Sequence, residues 1–107
     1  MNLPLPSREG EIHELRALLI DCVTLWSVEA RIAARADAVE IATSSDTYVV
    51  QCAPPDMRPV RWLLQTPDRR AANRPPRATP SIVALLTALR DALGAERGNK
   101  LRIGASQ

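Results

Sequence analysis

The sequence predicts an α+β domain: two layers in the order α-β-β-β-α, a three-stranded antiparallel meander with two helices on one face. Three observations predict it. Apolar residues recur at spacings of three and four from Ser7 to about Ala36. The period changes to two across residues 38–66, in three runs parted by turn-forming clusters. After a Pro- and Arg-rich loop, helical spacing returns from Thr79 to Leu93.

In the first element, Ile12, Leu15, Leu19, Cys22, Val23, Trp26, Ala30 and Ala33 form one row. Leu18, Leu25 and Ile32 form a second, repeating every seven residues. At 100° per residue the rows merge into an apolar arc of roughly half the circumference. His13, Arg16, Asp21, Thr24, Ser27, Arg31 and Arg35 fall opposite. Pro6 is excluded from a helix interior, whereas Ser7 can cap a helix and Glu9 and Glu11 suit its positive end. So wide an arc asks for more cover than a small sheet provides.

Val39, Ile41 and Thr43 then alternate with Ala38, Glu40 and Ala42. Ser44-Ser45-Asp46 marks a turn, and Thr47 to Ala53 is the returning strand, with Tyr48, Val50 and Cys52 inward and Val49 outward. Pro54-Pro55-Asp56 forces a second turn. The third strand, Pro59 to Thr66, turns Val60, Trp62 and Leu64 inward and Arg61 and Leu63 outward. Residues 67–79 read as a loop, long for a compact domain. Thr79 is the expected cap of the second helix, with Pro80 at its first position. Ile82, Leu85, Leu86, Leu89 and Leu93 form its apolar stripe, and Gly94 its stop. Residues 1–94 make the domain and 95–107 a flexible basic tail, in which Leu101 and Ile103 could add a short strand.

With 107 residues, the chain can bury roughly two-thirds of its unfolded surface. It has no Phe, so Leu, Ile, Val and Ala must build the core around Trp26, Trp62 and Tyr48. Thirteen Arg against one Lys, with sixteen Ala, reflect G+C-rich, bacterial coding. That bias discounts any argument from Arg abundance. The N-terminus lacks the basic and apolar regions of a secretion signal, and no apolar run is long enough for a membrane span. Cys22 and Cys52 are expected as buried free thiols rather than a disulfide. Together these features predict a cytoplasmic protein with no membrane association.

Charge is unevenly spread. Residues 1–56 hold nine acids and four bases (−5), and residues 57–107 ten bases and three acids (+7), summing to the net +2. Catalytic signals are weak. His13 is the one histidine and has no motif around it, and Ser44-Ser45-Asp46 is better explained as a turn. The two cysteines lack a second pair of zinc ligands, and no glycine-rich phosphate loop is present. The expectation is a non-enzymatic protein that uses no metal or cofactor.

The α-β-β-β-α order over roughly residues 7–94 resembles that of the double-stranded RNA-binding domain. This chain departs from that family's motifs. Thr79-Pro80-Ser81-Ile82 stands at its Lys-rich second-helix start, and Thr43-Ser44-Ser45-Asp46 at its Gly-Pro-x-His turn. No residue role is carried over.

Two functional readings follow. The favoured one is a protein-interaction module, most simply a homodimer or else a partner of another protein. Its contact is expected along the first helix through Leu18, Leu25, Glu29 and Ile32, or across the outer sheet face through Val49 and Leu63. Glu29 is the one polar residue inside the apolar arc, and it is expected in water beyond the sheet. The alternative is nucleic-acid or phosphate-ligand binding through Arg58, Arg61, Arg69, Arg70, Arg74 and Arg77.

Overall fold

The computed structural model describes residues 8–105, with side chains described for residues 10–94. The fold is α+β, with a five-stranded antiparallel sheet and three helices. The elements are α1 (Arg8–Leu25), β1 (Arg31–Ala34), β2 (Ala38–Ala42), β3 (Thr47–Cys52) and β4 (Trp62–Gln65), followed by α2 (Pro67–Ala71), β5 (Arg77–Thr79) and α3 (Ile82–Ala105). A 3-10 turn at Pro55–Met57 joins β3 to β4. Spatial order follows chain order, β1-β2-β3-β4-β5.

The first helix ends eleven residues before the expected Ala36. Ser27 adopts a left-handed conformation with φ 59°. Its N–H donates to Thr24 O at 3.1 Å, and the Val28 N–H donates to Val23 O at 2.8 Å. These two bonds are the paired closure that answers the last carbonyls of a helix, usually around glycine. Val28 folds back against the core below. Residues 31–34 leave as β1, so Ile32 belongs to a strand, paired with Ile41. Arg16 reaches across from α1, and its Nε donates to Ile32 O at 3.2 Å, answering a carbonyl on the free edge of the sheet.

The middle of the sheet matches the alternation in the sequence. Val39, Ile41, Tyr48, Val50, Trp62 and Leu64 are buried on one face. Thr43 Oγ1 accepts the N–H groups of Ser45 and Asp46 and closes the β2–β3 turn. The supposed loop 67–79 holds α2 and β5. Thr66 caps α2 by accepting the Arg69 N–H, and Asn73 (φ 55°) ends it with the same left-handed closure seen at Ser27. Thr79 is not the cap of the last helix. It is buried in β5, where its hydroxyl donates to Trp62 O at 3.0 Å. Ser81 caps α3 instead, its Oγ accepting the Ala84 N–H at 3.1 Å. The helix runs through Gly94 to Ala105, so Leu101 and Ile103 lie on a helix rather than a strand.

Both long helices lie on the same face, α1 over β1 and β2 and α3 over β4 and β5. Ile12, Leu15, Leu19 and Val23 from α1 and Leu85, Ala88, Leu89 and Leu93 from α3 join the sheet residues in one core. The two-helices-on-one-face arrangement is therefore as expected, while the sheet is wider. Five strands span about 24 Å, the width of two helices of roughly 10–12 Å each. A three-stranded sheet would have left α1 overhanging. β1 supplies that missing cover.

Candidate functional site

Among the described residues, two open surfaces bear on function. One is the sheet face turned away from the helices. Cross-strand register places Ala33, Glu40, Val49 and Gln65 in one row, and Ala38, Gln51, Leu63 and Ala78 in the next. Val49 and Leu63 are half-buried by their neighbours. The Gln65 Oε1 atom is buried without a hydrogen-bond partner. The one carboxylate in these rows, Glu40, is paired with Arg35 at 3.0 Å. The face is thus weakly polar.

The second surface is a cleft of about 450 Å³ on the helix side, between the N-terminal half of α1 and the start of α3. Glu11, Glu14, Leu15 and Leu18 form one wall; Pro80, Ser81 and Ile82 form another; Arg61 and Trp62 complete the lining. Neighbouring residues of a regular strand point to opposite faces, which is why Arg61 is expected outward. Here the Arg61 N–H donates to Thr79 O at 2.9 Å, although Thr79 stands opposite Trp62 in register. Two residues therefore meet one across this edge, while the Arg61 carbonyl accepts the Ala53 N–H at 2.9 Å in the register that β3 and β4 already share. Arg61 thus lines the cleft from a backbone tied to both neighbouring strands, just before β4 begins.

The expected interface residues separate. Leu18 and Leu25 are exposed on α1, Leu25 at 80% in its last turn. Ile32 is half-buried on β1 against the core, so the seven-residue row Leu18, Leu25 and Ile32 is not a helical stripe. Glu29 is exposed in the segment after α1. Val49 and Leu63 do share the outer sheet face, on adjacent strands. The six arginines divide between the two ends of β4. Arg58 and Arg61 precede it, whereas Arg69, Arg70, Arg74 and Arg77 follow. Arg69 Nε donates to Pro75 O at 2.9 Å and Arg70 to Thr47 O at 3.4 Å, so both help to hold the α2 segment in place.

Cys22 and Cys52 are half-buried and not joined in a disulfide. Burial pushes the Cys22 thiol pKa up, and the charge of Asp21 adds to the effect. Such a thiol is a poorer nucleophile at neutral pH. Among the described residues no group of three His, Cys, Asp or Glu is placed to hold a metal ion, and no helix is long and apolar enough to cross a membrane. No family model, curated protein or solved structure matches this chain.

Proposed function

We propose that this protein is a non-enzymatic interaction module of the bacterial cytoplasm that pairs with a second copy of itself through the outer face of its sheet. The observation that carries the reading is that this face places Val49 and Leu63 on adjacent strands, in neighbouring cross-strand rows, among alanines and glutamine amides, with its carboxylate already paired. A surface of that chemistry suits another like it, in the self-complementary contact of a two-fold dimer. It does not suit a polyanion. The division of the arginines between two ends of β4 weighs the same way, since phosphate binding draws on a continuous basic patch. Two cysteines outside any disulfide accord with a reducing compartment.

The face measures roughly 24 by 15 Å, about 350 Å² in projection. Stable interfaces bury about 800 Å² per partner, so the surrounding loops must contribute or the dimer is weak. The expected result is a mass that rises with concentration through the micromolar range. Light scattering should report dissociation for Leu63→Glu and an unchanged dimer for Leu25→Glu. A strict monomer at high micromolar concentration removes the proposal, and loss of the dimer with Leu25→Glu alone moves the contact to α1.

A further inference from the structure

The cleft over Trp62 lies on the side of the sheet opposite the proposed dimer face, and its lining is chemically divided. Glu11 and Glu14 are on one side of the cleft, on the same face of α1 as Leu15 and Leu18. Arg61 is contributed from the sheet beside Trp62. Among the described residues, none of these three charged side chains makes a hydrogen bond or ion pair. The apolar lining is Leu15, Leu18, Trp62 and Ile82, of which Leu18 remains 37% exposed. A volume of about 450 Å³ lies within the range of small-molecule sites.

Arg61 lines this cleft from the backbone just before β4. That backbone is held on both sides, by the Arg61 N–H on Thr79 O and the Ala53 N–H on Arg61 O, and the buried Thr79 hydroxyl donates to Trp62 O. Arg61 is thus offered to the cleft from a fixed backbone rather than from a loose loop. From this geometry we infer that the cleft binds a free α-amino acid or short peptide with an apolar side chain, its ammonium toward Glu11 and Glu14 and its carboxylate toward Arg61. A simple anion meets two carboxylates there, and a simple cation meets the guanidinium. A zwitterion with an apolar body satisfies both charges and covers Leu18 and Ile82.

The test uses the full chain, with leucyl-leucine as the probe at neutral pH. The two indole N–H signals are followed by NMR, the Trp62 signal being assigned with Trp62→Phe. A saturable shift of the Trp62 indole is expected, with that of Trp26 unchanged. Charge-assisted hydrogen bonds of this kind are worth about tenfold in affinity each. N-acetyl-leucyl-leucine and leucyl-leucinamide should therefore bind at least about tenfold more weakly than the parent, as should the parent to Glu11→Gln/Glu14→Gln or to Arg61→Gln. These substitutions are near the surface, and a thermal melt confirms that each variant is folded. Equal binding of the capped peptides, or no saturable Trp62 shift at tens of millimolar, overturns the inference.

Discussion

Replacing Ser27 by glycine tests the decision on which the fold turns: whether the first helix stops at Leu25 or runs on toward Ala36. In the structure Ser27 sits at φ 59° and its neighbours close the helix end. An L-residue in that conformation brings its Cβ close to the following carbonyl, which costs roughly 1–2 kcal/mol. Glycine avoids the clash and gives up roughly 0.5–1 kcal/mol of additional backbone entropy. Ser27→Gly should therefore stabilise by about 0.5–1 kcal/mol. Unfolding entropy of about 2.1 cal/mol/K per residue gives roughly 0.2 kcal/mol/K for a chain of this length, so Tm should rise by about 2–5 °C. Ser27→Val, with its branched Cβ, should lower stability by more than about 1 kcal/mol. Thermal melts followed by circular dichroism measure both. A helix continuing through residue 27 reverses the signs, because glycine weakens a helix interior and valine costs little against serine there. A lower Tm for Ser27→Gly beside a neutral Ser27→Val refutes the turn.

Four further outcomes are expected. Ser81→Ala should cost about 1 kcal/mol and speed hydrogen exchange at the Ala84 amide, the group Ser81 caps. Thr79→Val should cost a similar amount, about 1 kcal/mol, through the lost hydroxyl bond to Trp62 O, without changing exchange at Ala84. Gln65→Met should stabilise by about 1 kcal/mol in a denaturant titration, because it removes a buried carbonyl oxygen that has no partner. Glu29→Leu should leave stability within about 0.5 kcal/mol and solution mass unchanged, since its side chain is already in water; a clear loss of stability places that carboxylate in a contact the structure does not have.

What the sequence made legible follows the range of the physics that decides it. Alternation at Val39, Ile41, Tyr48, Val50, Trp62 and Leu64 reflects one local requirement, burial of one face, and all six are buried. The same holds for Ile12, Leu15, Leu19 and Val23 in α1 and for Leu85, Leu89 and Leu93 in α3. Residues 30–36, Ala-Arg-Ile-Ala-Ala-Arg-Ala, favour a helix by propensity and continue the row at Ala30 and Ala33. They form a strand because a left-handed serine ends the helix and β2 presents an open edge. Serine carries no signal for that turn comparable to glycine's. β5 is shorter still: three residues whose strand identity depends on pairing with β4. Its Thr79-Pro80 pair imitates a helix start so closely that the true cap lies two residues on.

The candidate sites divide along the same line. The pair Val49 and Leu63 could be read from period alone, because both sit on strands whose register the turns enforce. Arg61 could not, since the cleft it lines is formed only when α1 and the start of α3 pack beside it. This bears on how the molecule is used. The width that β1 and β5 add to the sheet reduces the apolar surplus expected of the first helix, because Ile32 and Ala34 pack into the core beside α1 while Leu18 and Leu25 stay exposed. What stays open is a neutral face with no helix over it on one side and a charged cleft at the helix ends on the other. Their chemistries differ enough that one cannot stand in for the other. Leu63→Glu should abolish pairing and leave the Trp62 indole response intact, whereas Arg61→Gln should do the reverse.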